Sequence, residues 1–176
     1  MTWAVGPLLL GAYFVGSLPT AYLLARRLLG VDIRTVGSGN VGASNLRASL
    51  GVWATVLVGV IDIAKGALPV WAAGRLGMGS TAACLAGVAV VIGHDWSVWL
   101  GFQAGRGGAT TMGVLLVVFP VGALWIILGL ALGAALRETG LVHLVAVLSV
   151  PLLAVVRGQT AEVVALTIAL AALMVV

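Results

Sequence analysis

Long stretches of this chain are apolar on every face, and that property limits its possible folds more than any other. Val114-Leu115-Leu116-Val117-Val118-Phe119 has neither the alternation of a half-wet strand nor the polar stripe of a surface helix. Hydrophobic residues make up 62% of the 176 and charged residues 8%, against roughly 25% charged in a soluble domain. Such a composition cannot cover a globule with polar surface. The expected class is therefore all-α: a polytopic membrane helical bundle, with residues 1–176 forming a single integral membrane domain.

About 20 apolar residues span the hydrocarbon core. Candidate spans are Ala4–Ala25, Val52–Ala73, Ser80–Leu100 and Thr111–Leu136, followed by shorter runs Leu141–Val156 and Ala161–Val176. That makes five to six apolar segments. The short Leu141–Val156 run contains Pro151 and is expected to be tilted, broken or partly re-entrant. The first stretch has no basic region ahead of it and reads as a retained span. Cys84 lies in an apolar run and reads as a small buried hydrophobe.

Two glycine-rich loops interrupt the oil. One is Gly37-Ser38-Gly39-Asn40-Val41-Gly42-Ala43-Ser44-Asn45-Leu46-Arg47; the other is Gly101-Phe102-Gln103-Ala104-Gly105-Arg106-Gly107-Gly108-Ala109-Thr110. Glycine lets backbone N–H groups close around an anion, and arginine adds a fixed charged fork that matches phosphate. Two spans separate the loops, so both emerge on one face. Arg26, Arg27, Arg34 and Arg47 follow the first span and Arg106 the third, whereas Arg75 and Arg137 are expected on the opposite side. This bias places the loops in the cytoplasm and the N-terminus outside.

Among other polar groups, His94 sits just ahead of the second loop, as a proton carrier, substrate donor or helix-end group. Thr110 and Thr111 are expected to cap the following helix. Asp62 and Lys65 share a helix face inside a span, where they read first as an ion pair, with Lys65 reaching a substrate as the rival. His143, Arg157 and Glu162 lack glycine-rich surroundings and read as structural. No metal-ligand spacing, Walker sequence or Gly-x-Ser-x-Gly elbow is present, so neither metal chemistry, nucleotide hydrolysis nor a serine nucleophile is expected. Sparse basic residues at span ends suit lipid head groups and not nucleic acid.

At these residues the chain resembles the bacterial membrane glycerol-3-phosphate acyltransferases that use acyl-phosphate as donor. The resemblance rests on Gly16-Ser17-Leu18-Pro19-Thr20-Ala21-Tyr22, on Arg34 through Arg47, on Asp62-Ile63-Ala64-Lys65-Gly66-Ala67-Leu68-Pro69-Val70, and on Gly93-His94-Asp95-Trp96 with Gly101–Thr110. It implies transfer of an acyl group to the sn-1 hydroxyl of glycerol-3-phosphate in the bacterial cytoplasmic membrane. The products are lysophosphatidic acid and phosphate, and no cofactor is required. It implies catalytic roles for Ser38, Arg47, His94 and Arg106. Substrate contacts would come from Gly37, Gly39, Asn40, Gly42, Asn45, Lys65, Gly105, Gly107, Gly108 and Thr110, with membrane phospholipid as surroundings. The family carries lysines where this chain has Gln103 and Arg106. Its third signature, an Arg-His-x-x-Asn-Ile-like element, has no counterpart here, so the chain reads as divergent or lacking that element. The alternatives are a non-catalytic relative that binds anionic lipid or a phosphorylated metabolite, and a small membrane transporter subunit.

Overall fold

A computed structural model describes residues 2–175, and among them there is no strand. The helices are α1 (Val5–Ser17), α2 (Thr20–Leu29), α3 (Ala43–Arg75, kinked at Gly51 where φ is 78°), α4 (Ser80–Asp95), α5 (Gly108–Val118), α6 (Pro120–Leu136), α7 (Thr139–Val156) and α8 (Ala161–Leu173). Val5–Leu29, Ala43–Arg75, Ser80–Leu100 and Thr139–Val156 are long and apolar enough to cross a membrane. Val90, Val114, Leu115, Phe119, Ile126 and Leu170 form the core, while Val56, Val60, Leu128, Leu132 and Leu152 stand exposed around it. An exposed apolar belt of this size is a lipid-facing surface.

Pro19 has no N–H to donate, so it divides the first span into α1 and α2 and leaves carbonyls at the break without helical donors. Inside a membrane such groups need partners from the protein. Ser97 Oγ donates to the Ser17 carbonyl at 2.6 Å and Lys65 Nζ to the Leu18 carbonyl at 2.9 Å. The break is thereby tied to both α3 and the loop after α4.

Glycines set how closely the helices cross. A Cβ on Gly16 would overlap the Val90 carbonyl, and one on Gly93 the Tyr13 carbonyl, so α1 and α4 meet backbone to backbone. Gly66 and Gly113 do the same for α3 and α5, against the Thr110 and Ile63 carbonyls. Small residues at crossings are how membrane helices gain dispersion contact without a hydrophobic driving force.

Two features depart from the sequence reading. Thr111–Leu136 is a helical hairpin, not one span. The chain turns at Phe119–Pro120, and α5 and α6 run in opposite directions along α7. Gly108, at the start of α5, lies beside His143, while Gly133, near the end of α6, lies beside Thr139 and Val142. Both ends of the hairpin thus reach the same end of α7. Arg137 therefore joins Arg26, Arg27, Arg34, Arg47 and Arg106 at the loop end, and the opposite assignment is corrected. Leu141–Val156 falls within the 18-residue α7, which runs through Pro151 without interruption.

Candidate functional site

The first loop is held by its own side chains. Gly37 and Gly39 adopt φ of 58° and 71°, which bends the chain back toward α3. Asn45, buried in the first turn of α3, fills the bend: its Oδ1 accepts from the Ser38 N–H at 3.0 Å. Its Nδ2 shares its two hydrogens among the carbonyls of Ile33, Val36 and Asn40, at 3.1, 3.0 and 3.1 Å. That amide is committed to shaping the loop. Arg34 adds a clamp, pairing with Asp32 at 2.6 Å and donating to the Leu100 carbonyl at 3.4 Å, which links the two loops. The guanidinium holds the Asp32 carboxyl down to about 2.

The second loop is hydrogen-bonded onto the end of α4. Ala104 N–H donates to the Asp95 carbonyl at 3.1 Å and Gly105 N–H to the His94 carbonyl at 3.3 Å. Gly105 is a steric requirement, since a Cβ there would overlap the His94 imidazole. Gly107, at φ 62°, is the N-cap of α5. Thr110 and Thr111 are therefore not caps; they lie inside the first turn, buried, with hydroxyls that have no partner among the described residues.

Gly42 begins α3 and Gly107 begins α5, and among the described residues no side chain caps either helix. Both starts line one cavity of about 290 Å³, formed by Asn40, Gly42, Ala43, Ser44, Asp62, His94, Arg106, Gly107, Gly108, Ala109, His143 and Met174. Uncapped helix N-termini present free N–H groups and positive dipole ends, which together favour an anion. The cavity also carries one guanidinium and two imidazoles. Arg106, exposed, faces a second cavity of about 500 Å³ as well, with Asp95, Trp96, Phe102 and Gln103 on its wall.

Asp62 and Lys65 are an ion pair at 2.9 Å with side chains 3% and 6% exposed, and Thr20 Oγ1 donates to the same carboxylate oxygen at 3.1 Å. The pair is a partition. Asp62 lines the polar cavity, and Lys65 lines an apolar groove of about 370 Å³ between α2 and α3, with Leu23, Leu24, Leu57 and Ile61.

Of the residues named from sequence, Asn40, Gly42, His94, Arg106, Gly107 and Gly108 line the cavity. Gly105 lines the larger cavity and Lys65 the apolar groove, Asn45 and Thr110 are buried outside the wall, and Gly37 and Gly39 shape the first loop. Ser38 and Arg47 are exposed outside its wall. Asp62 and His143 also belong to the wall, and sequence reasoning gave neither that place. His143, taken as structural, is corrected on this point. No local signal marks it, because α7 reaches the site only through the α5–α6 hairpin.

This fold and site define a helical membrane protein with a polar cleft at one end, lined by two helix starts, and an apolar groove beside it. The family model for glycerol-3-phosphate acyltransferase matches residues 7–176, and the chain belongs to that family. It is 45% identical over 114 residues to glycerol-3-phosphate acyltransferase 2 of Dehalococcoides mccartyi, covering 65% of this chain and 54% of the relative. It is 37% identical over 157 residues to a glycerol-3-phosphate acyltransferase of Synechococcus sp., covering 89% of this chain and 78% of the relative. The match to the first relative thus spans about half of that protein's length. Among solved structures, the fold is similar to a crystal structure of PlsY (YgiH), an integral membrane glycerol 3-phosphate acyltransferase, in its glycerol 3-phosphate form. The TM-score is 0.89 at 36% identity, over 98% of this chain and 86% of that one. A lysophosphatidic acid form of the same protein matches at TM-score 0.87 and 33% identity, with the same coverage of both chains.

Proposed function

We propose that the protein transfers an acyl group from acyl-phosphate to the sn-1 hydroxyl of glycerol-3-phosphate, at the cytoplasmic face of a bacterial membrane. One observation carries this reading. A cavity built from two uncapped helix N-termini, Arg106 and His94 adjoins an apolar groove across the Asp62–Lys65 pair. An acyl-phosphate has one apolar and one dianionic end, and the two spaces suit those ends separately. The six arginines at the loop end, against Arg75 and Arg157 at the other, support the cytoplasmic assignment.

In the reaction, the sn-1 oxygen forms a bond to the acyl carbonyl carbon. The bond from that carbon to the bridging phosphate oxygen breaks, and phosphate leaves with the electron pair. In this reading His94, on the cavity wall, carries the hydroxyl proton to the departing phosphate. Arg106 and the N–H groups at the start of α5 offset the charge that grows on the leaving group. The donor is already activated, so alignment and charge stabilisation account for the catalysis. Ser38 and Arg47 are proposed to act from the mouth, with the exposed Arg47 charge drawing phosphate inward.

The test is purified protein in detergent supplied with acyl-phosphate and glycerol-3-phosphate, following phosphate release and lysophosphatidate together. Both products should appear in equal amounts, and Arg106→Ala should abolish most turnover. Phosphate binding without turnover would replace this reading with that of a binding protein. If Arg47→Ala leaves substrate affinity unchanged, that residue has no part in the site.

A further inference from the structure

Arg27 is a charge on the wall of an otherwise apolar groove. α2 and α3 meet through small residues, with Ala21, Ala25, Ala54 and Val58 buried in one cluster. Outside that contact lies the groove of about 370 Å³, walled by Leu18, Leu23, Leu24, Leu57 and Ile61. Leu23 is 54% exposed and Ile61 40%, so the groove is part of the lipid-facing surface. Its two charges lie at opposite ends. Lys65, at the deep end with Thr20, is satisfied by the Asp62 carboxylate and the Leu18 carbonyl. Arg27 lies seven residues beyond Thr20 along α2, about 10 Å nearer the loop end at 1.5 Å per residue. Arg26 donates to the Gly30 carbonyl and Arg34 pairs with Asp32, but Arg27 is exposed and has no acceptor among the described residues. Basic residues at head-group level between membrane helices select anionic lipid head groups. A second groove, of about 240 Å³ between α6 and α7, has no charged residue on its wall among the described residues, so nothing there selects a head group.

We propose that the α2–α3 groove binds an anionic phospholipid of the loop-side leaflet, with its phosphate on the Arg27 guanidinium and one tail along Leu23, Leu24, Leu57 and Ile61. The unpaired charge meets the head group, and the Asp62–Lys65 pair, already neutralised, requires nothing of the tail that passes it. The same groove takes the acyl end of the donor in the reaction proposed above, so lipid and donor exclude each other. Anionic phospholipid thereby restrains a step of its own synthesis. The competition rests on that reading of the groove; the lipid site does not.

The test places the full-length protein in phosphatidylcholine nanodiscs with a trace of phospholipid carrying a photoactivatable diazirine high on one tail. A phosphatidylglycerol probe should label α2 and α3 about fivefold more than a phosphatidylcholine probe, the effect of one basic residue at an anionic surface. Arg27→Gln should remove that preference and Arg27→Lys should keep it, while α6 and α7 label equally with both probes. Added salt should shrink the preference. In turnover, phosphatidylglycerol in the discs should raise the KM for acyl-phosphate in the wild type without moving kcat or the KM for glycerol-3-phosphate. The rise should be smaller in Arg27→Gln, a difference that bulk surface charge, common to both proteins, does not produce. Equal labelling of α2 and α3 by the two probes, or a preference that survives Arg27→Gln, overturns the proposal. So does a donor KM that ignores the lipid, or a groove shielded from both probes by a second copy of the chain. If Arg27→Gln fails to fold, the wild-type contrast between probes, measured against α6 and α7, decides. A protein that labels selectively but transfers no acyl group ends the reaction proposed above while the lipid site stands.

Discussion

Replacing Asn45 separates two explanations of why the first loop matters. The side chain makes four hydrogen-bond contacts, accepting from the Ser38 N–H and sharing its two amide hydrogens among the carbonyls of Ile33, Val36 and Asn40. Each such bond contributes a net ~0.5–1.5 kcal/mol, and groups left buried without partners cost more. Three of the four lie at partly buried positions, where water replaces part of the loss. Asn45→Ala should therefore destabilise the loop by about 2–4 kcal/mol, roughly a 30- to 1000-fold shift toward open loop conformations. Asn45→Asp should be at least as damaging, because a carboxylate cannot donate and would face three carbonyl oxygens. The assay combines phosphate affinity with limited proteolysis of residues 33–42 in detergent. Affinity should fall in step with faster cleavage in both variants. A loop that stays protected in Asn45→Ala while affinity collapses would refute this reasoning and make Asn45 a direct ligand contact. So would an Asp variant that outperforms Ala.

Gly66→Ala and Gly113→Ala should each lower thermal stability by about 1–3 kcal/mol, since the new Cβ forces α3 and α5 apart; unchanged melting of either would show that the crossing is slack. Lys65→Met alone strands the Asp62 carboxylate and should cost about 3–5 kcal/mol, while Lys65→Met with Asp62→Leu should recover much of it. A double variant no more stable than the single one counts against a neutralising pair. Asp32, held at about 2 by Arg34 against an ordinary value of 3.8, contributes stability that is full above about pH 4 and lost as the pH falls toward 2. Melting between pH 5 and pH 2.5 should fall further for the wild type than for Asp32→Asn, and parallel curves would remove the clamp.

The helical class and the two loops were legible because they depend on composition and local chemistry. No ordering of these residues could clothe a water-soluble core, and glycines at this density announce the turns that Gly37, Gly39, Gly101 and Gly107 make. The ion pair was legible too, since three residues along a helix brings Asp62 and Lys65 to one face. Boundaries failed where a break is apolar on both sides. Phe119–Pro120 lies within continuous hydrophobic sequence, and whether Pro120 kinks a span or starts a returning helix depends on what α7 offers for packing. From that single turn came the misplacement of Arg137.

Solvent, helicity and the glycine turns of both loops thus follow from residue types and short-range spacing, which hold whatever the long-range packing. The assembly of the site does not. Two helix starts about 65 residues apart (Gly42 and Gly107) meet only because glycine crossings at Gly16, Gly66, Gly93 and Gly113 let α1, α3, α4 and α5 close to backbone contact. The place of His143 on that cavity, and the division of the Asp62–Lys65 pair between a polar space and an apolar one, were decided by the same packing. Those relations join residues far apart in the chain, and only closely packed helices set their distances.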